Sequence, residues 1–392
     1  MKPPSRSVSA MHRSGIREVH DLAAARHGVL HLEIGEPDFP TPSHVIEAAA
    51  RAAAEGYTKY TVNRGLPSLR EAIRAKLAER NGIRVDLEQI VVTAGGVNAL
   101  METLLALLEP GEAILIPDPA WPNYEMMAAA LNAVALRYPL ERASDFQPDI
   151  DALATLARDP RAKVLLTNSP SNPAGAVWPR QTIEAVLEIA RANDLYLLSD
   201  EVYEEIVFEG EHFSPATLDE EGRIVTVFSS SKTYAMTGWR LGYLAAAPEL
   251  ADLIAKAQEP VISCATAVAQ KAFEAALTGP QECVAEMREA YRRRRDVTVQ
   301  ALRNSGLFVT EPRGAFYIFA DVSRATDDTN AFARWLVLEH GVAVAPGETF
   351  GPRASGLVRL SLAASPETLE EGVVRLARAV EQWPAEVAQA AR

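Results

Sequence analysis

The sequence predicts an α/β protein built on a mostly parallel sheet covered by helices, with a smaller α+β unit toward the C-terminus. Three observations carry that expectation. Short β-prone runs alternate with helical segments through most of the 392 residues, the order that crossover connections impose. The runs are largely apolar, as strands covered on both faces must be. After a long helical region over 280–303 the alternation stops, and the remaining strand-like runs have few helices between them.

Taken in order, residues 44–55 read as a helix after Pro42-Ser43. A second helix runs from Leu66-Pro67 to Arg80, where Asn81-Gly82 stops it. A strand over 90–93 enters Ala94-Gly95-Gly96, followed by a helix over 97–108 and a strand over 113–116. Further strands are expected at 163–166, 195–198, 224–228 and 242–246. In the C-terminal part the strands fall at 307–310, 316–320, 342–344 and 357–362, and the N-terminal segment is expected to return to that smaller unit. No internal repeat or low-complexity linker interrupts the pattern.

Charge and cysteine content exclude several classes. A net charge of −13 argues against nucleic acid or an anionic membrane surface as partner. The run Arg292-Arg293-Arg294-Arg295 lies in the long helical region and reads as a solvated face. Two cysteines, Cys264 and Cys283, form no paired framework, which fits a reducing, cytoplasmic location. No apolar run reaches the roughly 18 residues of a membrane span. Residues 1–15 lack acids and carry Arg6 and Arg13, yet Pro3-Pro4 and the missing amphipathic pattern favour a flexible or partner-clasping arm over a transit peptide.

Chemistry concentrates where expected strands end, the edge at which open parallel sheets bind ligands. Ser229-Ser230-Ser231-Lys232 follows the strand 224–228, with Arg240 eight residues after the lysine. A fixed amine among hydroxyls and a guanidinium suits a carbonyl cofactor that carries a phosphate. Gly95-Gly96-Val97 opens a helix after a strand, so its N–H groups can hold an anion, although such a turn is often only a tight connection. Asn168-Ser169-Pro170-Ser171-Asn172-Pro173-Ala174-Gly175 could be a plain proline turn, and Asp200 in Ser199-Asp200-Glu201-Val202-Tyr203 could merely cap a helix.

Two other constellations carry less. Ser229 to Lys232 formally matches the S-x-x-K of acyl-serine hydrolases, but that signature belongs at a helix start and needs an S-D-N and a K-T-G, which the chain lacks. His27, His31 and Glu33 have metal-like types, but 28–32 alternates like a strand, so no metal is expected.

Together these motifs resemble the fold type I, pyridoxal-phosphate-dependent class I/II aminotransferases, the aspartate-aminotransferase-like family. The resemblance covers nearly the whole chain, from Gly35-Glu36-Pro37-Asp38-Phe39-Pro40-Thr41-Pro42, through Lys59-Tyr60 and Gly65-Leu66-Pro67-Ser68-Leu69-Arg70, to Val358-Arg359-Leu360-Ser361. It implies an arm and joining segment over 1–43, a large cofactor domain with a seven-stranded-type sheet over 44–285, and a small α+β domain over 286–392.

By that resemblance Lys232 is the Schiff-base lysine, Asp200 faces the pyridine nitrogen, and Asn172 and Tyr203 bond the phenolic oxygen. Trp121 stacks on the ring with Tyr124 beside it. The phosphate falls to Gly95, Gly96, Val97, Ser229, Ser231 and Arg240, with Tyr60 reaching it from the second subunit of a homodimer. Arg359 and Gly35 hold the substrate α-carboxylate, with Asn172 and Tyr124 in the same substrate set. The implied activity is ping-pong transfer of an α-amino group from an L-amino acid to a 2-oxo acid such as 2-oxoglutarate or pyruvate. The same residues would also serve a β-eliminating C–S lyase. Arg64 or Arg17 could bind a distal carboxylate; Ile16, Tyr57 and Phe350 could equally frame an apolar side chain.

Overall fold

The computed structural model describes residues 2–11 and 13–383; Met1 and His12 of the expected arm lie outside them. Thirteen strands occur among these residues: β1 (Leu30–His31), β2 (Ile90–Thr93), β3 (Ala113–Asp118), β4 (Val134–Glu141), β5 (Gln147–Pro148), β6 (Ala162–Asn168), β7 (Tyr196–Asp200), β8 (Ile224–Ser229), β9 (Gly242–Ala245), β10 (Tyr317–Asp321), β11 (Val342–Ala343), β12 (Ala345–Pro346) and β13 (Leu357–Ser361).

Eight of them form one sheet in the order β2-β9-β8-β7-β6-β3-β4-β5. Pairing is parallel from β8 through β7, β6 and β3 to β4. It is antiparallel where β9 joins β8 and β2, and where β5 joins β4. The sheet is therefore mixed and has one strand more than the seven-stranded type. Strand β4 escaped the sequence reading because most of its residues are only partly buried, so it lacks the apolar run of the central strands.

Strands β3 and β8 are buried along their whole length, and helices cover the sheet. Helix Gly96–Leu107 packs on β8 and β9, and helix Pro248–Ile262 packs on it in turn. Leu100, Leu104, Ile254 and Val227 meet in that core layer. Burial of such side chains stabilises by about 1.5–3 kcal/mol each.

The smaller sheet has the order β10-β13-β12, antiparallel throughout. The N-terminal segment does return to this part, because β1 pairs in parallel with β11. The run 307–310 is not a strand; only an isolated bridge joins Phe308 to Ala320. The arginine run needs correction as well. In helix Glu282–Asn304, Arg292 and Arg293 are exposed beside Glu289, as read from sequence. Arg294 and Arg295 are buried, one paired with both oxygens of Asp38 at 2.7 Å, the other with Glu209 at 3.0 Å. Helical spacing turns half the run inward. Among the described residues no helix is long and apolar enough to cross a membrane.

Glycine is required where β9 passes behind the turn that opens helix Gly96–Leu107. A Cβ on Gly242 would lie 2.7 Å from the Gly95 carbonyl carbon and the Gly96 nitrogen, and 2.8 Å from Phe228 O. All three are backbone atoms, so the chain itself must move. Gly242→Ala should therefore lower the unfolding free energy by about 1–3 kcal/mol, the scale of core overpacking, as read from urea denaturation midpoints.

Candidate active site

A cavity of about 320 Å³ opens at the carboxyl ends of β6, β7 and β8, where Asn168, Asp200 and Ser229 terminate the strands and line it. The helical turn Ser230–Thr233 that follows β8 carries Lys232 into the cavity. Its Nζ donates to Gly35 O at 2.7 Å, which ties β8 to the N-terminal segment. Protein surrounds the amine apart from the cavity, and burial lowers its pKa to about 8; the nearby Arg359 and Arg240 act in the same direction against the pull of Glu36. Ser229 Oγ donates instead to Ser231 Oγ and Leu241 O, so the serine and lysine of the S-x-x-K match are not paired with each other.

One end of the cavity is suited to a dianion. The helix Gly96–Leu107 begins there, and its first N–H groups, at Gly96 and Val97, have no intrahelical partner by geometry. The hydroxyls of Ser229 and Ser231 and the guanidinium of Arg240 converge on the same end. Gly95 stands directly behind: its φ is +88° and a Cβ would meet Arg240 Nη2 at 2.5 Å. Arg240 is itself held at φ +53° and donates to Thr237 O and Ala94 O. Among the described residues it has no carboxylate partner, so its charge is left for a ligand.

Deeper in, Asp200 accepts a hydrogen bond from Tyr124 OH at 2.6 Å and one from the Val202 N–H at 3.3 Å. Burial pushes its carboxyl up to about 6, opposed by those bonds and assisted by the neighbouring Glu201. Tyr124 thus orients the acid, which is a different contact from the substrate contact expected for it. Trp121 lies edge-on to Tyr124 at 5.5 Å and lines the cavity with Val202.

The far end is built for a carboxylate. Arg359 on β13 is 1% exposed and has no carboxylate against it among the described residues. It donates to Asn172 Oδ1 at 2.9 Å and to Glu33 O, leaving Nε without a partner. Aromatic rings hold it on two sides, Tyr317 at 4.4 Å and Phe350 at 5.0 Å. A bare guanidinium in such a place is unfavourable until an anion arrives. Gly35 lies alongside, and a Cβ there would sit 1.9 Å from Tyr317 OH. Tyr203 OH lies 2.8 Å from Tyr317 OH. Tyr317 is the principal residue missed from sequence; the tight Gly314-Ala315-Phe316-Tyr317 entry into β10 was its only signal.

Two expected residues lie elsewhere in this chain. Tyr60 is 89% exposed and does not line the cavity. Arg64 is paired with Asp252 at 2.7 Å and bonded to Glu88 O, away from the site. Of the side chains considered for a distal pocket, Ile16 and Arg17 line the cavity, whereas Tyr57 lies against Lys271 and Phe350 is fully buried behind Arg359. His20 rather than His27 joins His31 at Glu33, with Nδ1 atoms 2.8 and 2.9 Å from Oε1.

The donors at one end, the acid opposite and the buried lysine between fit pyridoxal phosphate. Residues 27–376 match the family model described as aminotransferase class I and II. The chain belongs to that family. A Thermus thermophilus protein named aspartate/prephenate aminotransferase is 42% identical over 386 residues, spanning 96% of this chain and 99% of the relative. The structure of a Thermus thermophilus aspartate aminotransferase with maleate superposes with a TM-score of 0.92 at 41% identity, covering 97% of this chain and 100% of the other. An aromatic aminotransferase from Pyrococcus horikoshii gives 0.88 at 37%, covering 93% and 99%. The chain is thus a pyridoxal-phosphate-dependent aminotransferase acting on amino and oxo acids.

The raised Asp200 pKa has a stability consequence for cofactor-free protein. The folded state binds this proton more tightly than the unfolded chain, so the carboxyl costs stability progressively as pH rises from 3.8 through about 6. At about 1.4 kcal/mol per pKa unit, Asp200→Asn should stabilise the apoprotein by up to about 3 kcal/mol at pH 7 and little at pH 4. Denaturation midpoints at the two pH values check this.

Proposed function

We propose that Lys232 both anchors pyridoxal phosphate and moves the proton that transamination requires. The observation that carries this is an amine facing the cavity with its Nζ on Gly35 O, in the same lining as an anion-binding helix start and a buried guanidinium without a carboxylate; burial lowers its pKa to about 8. When bound, the cofactor supplies a carbonyl for the amino group and a ring that accepts an electron pair.

The protein's own groups do the rest. Gly95, Gly96, Val97, Ser229, Ser231 and Arg240 would hold the phosphate, and Asp200, oriented by Tyr124, would keep the pyridine nitrogen protonated. Trp121 would cover the ring, while Asn172 and Tyr203 would bond the phenolic oxygen. Arg359 and Gly35 fix the α-carboxylate, which aims the Cα–H bond at Lys232. The Lys232 amine would accept that proton from Cα and deliver it across the nitrogen to the carbon that the cofactor's carbonyl supplies. Water would provide the oxygen of the departing oxo acid, and a second oxo acid would take up the amino group with loss of water.

The exposed Tyr60 and its neighbour Val62, 58% exposed, support a homodimer in which Tyr60 meets the phosphate of the other copy. We also retain the division into 1–43, 44–285 and 286–392, supported by the separate sheets and the return of β1.

Lys232→Ala should lose turnover by several orders of magnitude and yield no borohydride-trapped adduct, with the fold intact by circular dichroism. Covalent uptake of pyridoxal phosphate by the wild-type apoprotein should accelerate as pH rises through about 8, since only the neutral amine attacks; stopped-flow absorbance reads the midpoint. A transferase should release oxo acid only in proportion to enzyme until an acceptor is added, whereas a C–S lyase would turn over without one.

A further inference from the structure

The apolar part of the cavity lining has a composition that the family assignment does not dictate; Val97 gives its backbone N–H to the dianion end and only its side chain to this wall. Ile16, Ile34, Val97 and Leu100 line it with Trp121, and the polar residues among them, Ser14 and Asn123, are uncharged. Ile16 packs against the cluster that contains Phe350, so it is a fixed part of this wall. Val97 is 39% exposed, so its side chain has open space beside it.

A donor with a distal carboxylate would need a cation on this wall. Four cations line the cavity. Three have other work: Lys232 bonds Gly35 O, Arg240 faces the dianion end, and Arg359 awaits the α-carboxylate. The fourth, Arg17, is exposed in the first turn of helix Gly15–Ala24. A solvated cation is a weak handle for a second carboxylate. Arg64 is neutralised by Asp252 in its own chain. Apolar surface, by contrast, favours a side chain that leaves water, while a carboxylate against Ile16, Val97 and Leu100 would lose hydration without a partner.

We propose that the amino donor of this enzyme carries an apolar or aromatic side chain, held by the wall of Ile16, Ile34, Val97 and Leu100, in place of the dicarboxylic donor after which its Thermus thermophilus relative is named. The inference rests on the reading of Arg359 as the α-carboxylate site.

Binding of two amine-free acids to the holoenzyme tests it, because both can use Arg359 and they differ only at the far end. By calorimetry, 3-phenylpropanoate should bind at least tenfold more tightly than succinate. Equal affinities or a preference for succinate overturn the proposal. Binding of neither acid overturns the Arg359 reading with it. Val97→Lys, at a half-exposed position, should shift the ratio at least tenfold toward succinate, and an unchanged ratio removes Val97 from the wall. Arg17→Ala should leave the wild-type ratio as it is; a selective loss of succinate binding would return Arg17 to the distal site and overturn the assignment. Rates of bleaching of the cofactor band by phenylalanine against aspartate should rank the same way. A holoenzyme bleached by no amino acid would instead reject the transamination reading itself.

Discussion

A guanidinium buried without an anion governs this molecule. Arg359 sits on β13, in the smaller sheet, yet its partners are Asn172 from the loop after β6 and the carbonyl of Glu33 from the N-terminal segment. Three parts of the chain are thus joined through one cation. Tyr317 and Phe350 offset part of its lost hydration through their ring faces. What they cannot supply is a full negative charge. In the proposed function a substrate carboxylate would complete the arrangement, so binding and orientation would arise from the same contact.

Low dielectric does a second job a few residues away. Burial lowers Lys232 to about 8 and raises Asp200 to about 6. One environment therefore brings an amine and an acid, whose ordinary values lie far apart, close to neutrality. At pH 7 a lysine near 8 is still mostly charged, but its neutral fraction, the form able to accept a proton from carbon, is far larger than at the usual value. The shift of Asp200 is a property of the cofactor-free protein. A protonated pyridine nitrogen opposite would favour the carboxylate again, so the acid's unfavourable burial becomes part of the cofactor's affinity.

Much of this was legible in the residues because the chemistry lies at strand ends, and strand ends are marked locally. Lys232, Asp200, Asn172 and Gly95-Gly96 each follow a β-prone run, and motif order fixed the family. Residues that enter the site from other parts of the fold left weaker marks. Ile16 sits in a short helix of the N-terminal segment, and only the return of that segment to β11 and β12 brings it to the cavity. Tyr317 read as an ordinary core aromatic. Arg294 and Arg295 read as solvated because a run of four arginines conceals which two face inward on a 3.6-residue period. Arg64 fits a substrate cation and a surface ion pair equally in sequence, because nothing there announces Asp252, 188 positions away; the structure shows the ion pair.

Glycine marks the places where the backbone itself must approach the chemistry. Gly35 brings its carbonyl to Lys232 while Tyr317 OH fills the space a side chain would occupy. Gly95 yields to Arg240, and Gly242 lets β9 press against the turn behind it. The first two let the backbone come close to a charged side chain, and the third lets strand and turn backbones meet. The site is therefore defined as much by missing Cβ atoms as by the groups that react. In the proposed function the reaction falls to backbone groups together with Lys232 and Arg359. Choice of substrate would then fall to Ile16, Val97 and Leu100, where one apolar side chain can replace another without disturbing the reacting atoms.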